Sequence, residues 1–257
     1  MEAAESIALR AGWLVLDLLR EERVIETKAS PVDIVTDADR KSEAFIAAEL
    51  QRRFPDHAIV GEEGGERAKP SRYRWHVDPV DGTTNYAHGF PIFCVSIALC
   101  EADRPIAGVI RAPMLGETFK AAAGAGAYLN GRPIRVSACS ALAQGLVATG
   151  FPKYQREKTF QILDLLGTFI KRSQGVRRPG AAAIDLAYVA CGRLDGYWEE
   201  GLSSWDTAAG LLLVEEAGGR ISDYRGNPYG LGDRTIVASN GRLHDEMTDI
   251  TRGYDAG

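Results

Sequence analysis

The chain has little to support a disulfide or zinc framework. Its four cysteines are Cys94, Cys100, Cys139 and Cys191, and none forms a Cys-x-x-Cys pair. No histidine stands at zinc-ligand spacing from them. Cys94 and Cys191 lie in apolar runs, which predicts buried free thiols in a reducing compartment. Long hydrophobic runs are also missing, since no stretch approaches the ~20 apolar residues of a membrane span. The N-terminus opens with Glu2 and Glu5 in place of a basic region before an apolar run, so no secretory signal is read there. A cytoplasmic protein without membrane contact is the expectation. Clustered positive charge is scarce as well. The net charge is -5, and only short basic runs such as Arg52-Arg53 and Arg177-Arg178 stand out. Holding nucleic acid along its phosphates takes more than that, so direct nucleic-acid binding is not expected.

What is present is ordinary for a folded protein: 257 residues, 45% hydrophobic and 25% charged. The length suits one domain over residues 1–257, made of two joined halves that divide near residue 140. Ile7, Ala11, Leu14, Val15 and Leu18 recur at steps of three and four, predicting an amphipathic helix over 5–22. A turn follows at Ser30-Pro31. A second helix is predicted from near Thr36 to Phe54, where Thr36-x-x-Asp39 resembles a capping box. Apolar segments at 92–99, 106–110 and 118–122, then Tyr128-Leu129 before Asn130-Gly131, predict an antiparallel sheet with a tight hairpin. Beyond Gly145 the pattern alternates. Strands are predicted at 146–149, 197–198, near Ile221 and at 236–238, and helices over 154–171, 182–191 and 205–217. Helices packed on two sheets make an α+β or α/β layered sandwich.

The segment Trp75-His76-Val77-Asp78-Pro79-Val80-Asp81-Gly82-Thr83-Thr84-Asn85 is the most informative. Two carboxylates flank a proline that fixes its φ and donates no hydrogen bond. The apolar lead-in predicts a strand delivering Asp78 to the sheet edge. The turn at Gly82 then exposes successive backbone N–H groups at a possible helix start, an arrangement suited to phosphate. Hard oxygens for a metal beside donors for phosphate are what metal-assisted phosphoryl transfer needs. Either aspartate alone also reads as a turn residue. The other acidic segments are Gly61-Glu62-Glu63-Gly64-Gly65, Tyr197-Trp198-Glu199-Glu200 and Trp205-Asp206. Taken singly, they also read as a solvated loop, a solvent-facing strand end and a helix cap.

Together these pieces resemble the inositol monophosphatase family of lithium-sensitive, magnesium-dependent phosphatases. Gly61-Glu62-Glu63, the 78–85 string and Trp205-Asp206 match the family's three motif blocks in order. Residues 178–188 are similar to its substrate-side helix, with Ala181 where the family often has Ser or Thr.

The resemblance implies an αβαβα sandwich. It also implies that Glu62, Asp78, Asp81, Asp206 and the Val80 carbonyl bind two or three Mg²⁺. Four carboxylates and a dianionic phosphate balance three divalent cations. Glu62 and Thr83 are implied to position and deprotonate a water, with Asp39 pairing the Thr83 hydroxyl. Gly82 and Thr83 would hold the phosphate through backbone N–H groups, beside Asp81 and Asp206. Glu199 would accept hydrogen bonds from ring hydroxyls, and Ala182 would line the same pocket. Lys28 is implied to lie on a loop that helps hold the third metal. His76 reads as structural, because Mg²⁺ prefers oxygen.

The expected reaction is hydrolysis of a small phosphate monoester, foremost an inositol monophosphate, by a homodimer. Fructose 1,6-bisphosphate, histidinol phosphate and nucleotide 3′-phosphates are the alternative substrates. A protein that interacts with the transcription machinery is the alternative outside enzymology.

Overall fold

The computed structural model describes residues 1–21, 24–27, 34–67, 69–152 and 159–254. Lys28, the Ser30-Pro31 turn and residues 154–158 of one predicted helix lie outside them.

Helix α1 (Glu2–Leu19) starts on Glu2 and Glu5, whose charges suit a helix N-terminus, and buries Ile7, Ala11, Val15 and Leu18. It begins and ends three residues earlier than the 5–22 periodicity suggests. Strands β1 (Ile25–Thr27) and β2 (Ile34–Thr36) form a small antiparallel pair. Helix α2 (Asp37–Arg53) starts at Thr36, whose N–H donates to the Asp39 carboxylate at 2.8 Å, so the capping box is real.

Both helices cover one face of an eight-stranded sheet. Its strands are β3 (Ala58–Gly61), β4 (Gly65–Arg67), β5 (Tyr73–Asp81), β6 (Cys94–Glu101), β7 (Arg104–Ala112), β8 (Glu117–Ala122), β9 (Gly126–Leu129) and β10 (Arg132–Pro133). They lie in the order β10-β9-β8-β7-β6-β5-β3-β4, antiparallel except for β3 with β5. Asn130 and Gly131 both have positive φ, at 49° and 77°, and close the predicted β9–β10 hairpin. Strand β6 starts at Cys94, not at residue 92. The Ile92 carbonyl is taken by the Asn85 side-chain amide at 2.7 Å, outside the ladder. Strand β5 lies inside the sheet, so Asp78 is delivered to a strand's C-terminal end and not to the sheet's edge strand.

A five-stranded sheet follows, built from β11 (Leu146–Thr149), β12 (Gly175–Arg177), β13 (Gly196–Glu200), β14 (Arg220–Ser222) and β15 (Thr235–Ser239). Its order is β12-β11-β13-β15-β14, parallel through the first three strands and antiparallel beyond. Helices α5 (Ala182–Ala190) and α6 (Ser204–Glu216) lie between the sheets, and α4 (Thr159–Arg172) and α7 (His244–Thr251) lie on the outer face.

Strand alternation explains the layers. In β6, Val95 and Ile97 face α1 and α2, whereas Cys94, Ala98 and Cys100 face the middle helices. In the second sheet, Ala148, Tyr197 and Ile236 point inward, while Val147, Trp198 and Val237 meet Phe169 and Met247 outside. Helix α6 is buried on every side from Thr207 to Val214, as a middle layer requires. The result is the expected αβαβα sandwich.

Candidate active site

The site begins where β5 ends. Pairing of β5 with β6 breaks register between Asp78 and Asp81, around Pro79, which has no N–H to give the ladder. Asp78 folds back so that its Oδ1 accepts the Val80 N–H at 3.0 Å. Gly82 then takes a left-handed φ of 89°, a conformation a side chain would strain, and turns the chain into the short helix α3 (Thr83–Ala87). The Thr83 hydroxyl lies 3.2 Å from Asp39 Oδ1 and 3.2 Å from the Val80 carbonyl, two acceptors for one proton.

Two helix starts meet this turn. The Asp81 carboxylate accepts the N–H groups of Ala182 at 3.2 Å and Ala183 at 2.8 Å, satisfying donors that the first turn of α5 leaves free. Asp206 lies in the first turn of α6 and accepts the Ser203 N–H at 2.7 Å. It thus caps a helix while standing beside Asp78 and Asp81. Carboxylate oxygens of Asp78, Asp81 and Asp206 lie within 4.8 Å of one another.

Asp78 is buried, and burial is the main cause that pushes its carboxyl well above the usual range. The neighbouring charges of Glu62, Asp81, Asp206 and Asp39 push the same way. An all-oxygen donor set under mutual repulsion suits a hard divalent cation, so the residues fit the metal that the motifs imply. Glu62 lines the same cavity, although its carboxylate lies outside the tight aspartate cluster.

The cavity holds about 570 Å³, and Gly82, Thr83, Ala182 and Glu199 also line it. Glu199, near the end of β13, accepts a hydrogen bond from the Tyr197 hydroxyl. Its carboxylate packs on Gly150, where any Cβ would collide with it. Glu200 lines the cavity too, and its Oε1 accepts a hydrogen bond from Arg234 Nε at 2.8 Å. His76 is buried and bonded to another side chain. Its Nδ1 meets Ser204 Oγ at 2.8 Å, and burial lowers its pKa to about 4.

Comparison with known proteins settles the family. The Inositol monophosphatase family model matches residues 1–254. The chain belongs to the inositol monophosphatase family. It is 45% identical to the Inositol-1-monophosphatase of Synechocystis over 96% of this chain and 87% of that one. It is 44% identical to the Nus factor SuhB of Pseudomonas aeruginosa, covering 93% and 92%. The crystal structure of extragenic suppressor protein suhB from Bartonella henselae superposes with a TM-score of 0.94 at 39% identity, covering 98% of each chain. The protein is accordingly a phosphatase of a metal-dependent family, and no described helix is long and apolar enough to cross a membrane.

Around this phosphatase site stand buried polar side chains that sequence reasoning missed. Ser42 and Glu43 face inward from α2. Asp185, on α5, is 1% exposed, and neither carboxylate oxygen has a hydrogen-bond partner among the described residues. Burial, then the charges of Glu199 and Asp81, push the Asp185 carboxyl well above its usual range against the opposing pull of Arg178. The one available signal was an acid set within the apolar run Ala-Ala-Ile-Asp-Leu-Ala.

Proposed function

We propose that this phosphatase hydrolyses inositol monophosphate to inositol and inorganic phosphate, with Mg²⁺ as its cofactor. The observation behind this is the convergence of Asp78, Asp81 and Asp206 to within 4.8 Å of one another, at a cavity lined by Asp81, Asp206 and Glu199. Glu62, Asp78, Asp81, Asp206 and the Val80 carbonyl are the groups that would hold two or three Mg²⁺. Bound there, the cations supply Lewis-acid polarisation of the phosphoryl group and a water of lowered pKa.

The chain's own residues do the rest. Glu62 and Thr83 orient the attacking water and take up its proton, with Asp39 holding the Thr83 hydroxyl in place. The N–H groups of Gly82 and Thr83 hold the phosphate. Water adds a P–O bond as the P–O bond to inositol breaks, and the departing oxygen takes a proton. Glu199 accepts from the ring hydroxyls, steadied by Tyr197, and Ala182 lines the space beside it. Lys28, outside the described residues, is proposed to help hold the third cation. The acting form is taken to be a cytoplasmic homodimer, and Phe160, Leu163 and Ile170, exposed along α4, offer it an apolar face.

Phosphate release from inositol 1-phosphate, fructose 1,6-bisphosphate, histidinol phosphate and a nucleoside 3′-phosphate, with and without Mg²⁺, tests this. The highest kcat/KM is expected for inositol 1-phosphate, with inhibition by Li⁺. A higher value for another substrate reassigns the specificity, and no Mg²⁺-dependent release from any of them overturns the reading. The name of the Pseudomonas relative favours a second reading, a role with the transcription machinery. Co-purification with RNA polymerase tests that one.

A further inference from the structure

Helix α2 turns a polar stripe inward. Asp39, Ser42 and Glu43 follow at i, i+3 and i+4, on one helix face, and all three are buried. Buried polar groups cost free energy unless hydrogen-bonded. Each of these three is bonded to a different segment of the site. Asp39 holds Thr83. Ser42 donates its hydroxyl to the Pro79 carbonyl at 3.2 Å, between Asp78 and Asp81. Glu43 spans the turn after β3. Its Oε2 accepts the N–H of Glu63 and its Oε1 accepts the N–H of Gly64, both at 2.7 Å.

Gly61, on the other side of Glu62, presses against the same carboxylate. A Cβ there would stand 2.6 Å from Glu43 Oε2. Gly61 is not among the positive-φ glycines, so close approach is what demands glycine here. Glu62 therefore sits in a segment that one buried carboxylate grips on both sides.

We propose that Glu43 is a positioning residue: it fixes the backbone of residues 61–64, aims Glu62 into the cation site, and through it sets the affinity for divalent cation. This rests on the assignment of Glu62 as a cation ligand under the proposed function. Paired charge-assisted bonds from a carboxylate to two backbone N–H groups are strong and directional. In Glu43→Gln an amide NH₂ would face one of those N–H groups, so one bond is lost and donor meets donor.

The test uses Glu43→Gln, Gly61→Ala and Glu62→Gln, with Glu43→Gln and Gly61→Ala each also placed in the Glu62→Gln background. Mg²⁺ binding is read by calorimetry on the full chain, and circular dichroism checks the fold. Glu43→Gln should fold and weaken Mg²⁺ binding about tenfold or more, the range for groups that support a ligand. Gly61→Ala, which pushes the Glu43 carboxylate from the other side, should do the same. In the Glu62→Gln background either change should alter binding by less than about twofold, because the effect passes through Glu62. Equal effects with and without the Glu62 carboxylate, or folded single variants that bind as the parent does, overturn the inference. If Glu43→Gln does not fold, the Gly61→Ala pair carries the same comparison. Parental binding in Glu62→Gln alone marks the failure of the Glu62 assignment, and the inference falls with it.

Discussion

The Thr83 hydroxyl lies 3.2 Å from Oδ1 of Asp39, a residue 44 positions earlier that caps α2 with its other oxygen. One carboxylate thus joins a helix start to the turn proposed to carry the chemistry. Thr83→Ala should keep the fold and lower kcat by about 10²-fold or more, as expected for a group that orients a proton transfer. Asp39→Asn should fall in the same range. The double variant should be no slower than the worse single one, because the two act as a unit. Multiplied losses in steady-state kinetics would count against that unit.

Asp206→Asn removes the charge of a proposed ligand and leaves an oxygen for the Ser203 N–H, so α6 should stay capped. Activity should drop at least about hundredfold, the scale of losing one fixed electrostatic partner. The rise in Tm that Mg²⁺ gives the parent protein should shrink as well. Thermal denaturation with and without Mg²⁺ reads this. A variant within a few-fold of parental activity would rule out Asp206 as a ligand.

Glu199→Gln should separate recognition from chemistry. Losing the charged acceptor proposed for ring hydroxyls should raise KM for inositol 1-phosphate about tenfold. Hydrolysis of p-nitrophenyl phosphate, which has no such hydroxyls, should change little. Equal losses on both substrates would remove Glu199 from hydroxyl recognition.

His244 is fully buried between Ser239 and Ser222, and burial lowers its pKa to about 4. Between about pH 6.5 and 4 the unfolded chain holds the extra proton, so stability rises with pH across that window. Roughly 3 kcal/mol should be lost as pH falls from 6.5 to 4. His244→Gln should flatten that part of a Tm-versus-pH curve, and an unchanged slope would refute the assignment.

Asp185 has the opposite sign. Its folded carboxyl titrates well above the ordinary range, so the folded state holds the extra proton. Its contribution to stability is full below about pH 4, the unfolded value, and is lost as pH rises. Asp185→Asn should therefore gain stability relative to the parent from pH 5 to 8, and the two should converge near pH 4. A gap that widens toward acid in denaturant melts would contradict this.

The 78–85 string is legible in sequence because strand, proline, turn glycine and two acids must coincide there. The Asn130-Gly131 turn is legible because positive φ selects those residues. Ser42 and Glu43 are not. Hydrophobic periodicity assigns the polar face of a helix to solvent, and here part of that face points at the site. Helix α7 escapes the same rule because it is two turns long and buries His244, Thr248 and Thr251 beside Met247 and Ile250. Strands β4 and β12 are three residues long and each starts at a glycine, too short to show alternation.

Asp78 and Asp206 reach their meeting point from different layers, one at the end of β5 and the other at the head of α6. A divalent cation bound between them, as proposed, would work as a rivet through the sandwich. Without it, repulsion favours the partly opened states from which proteases cut. The lifetime of this phosphatase in a cell, and so its abundance, would then follow the supply of divalent metal even when no substrate is present.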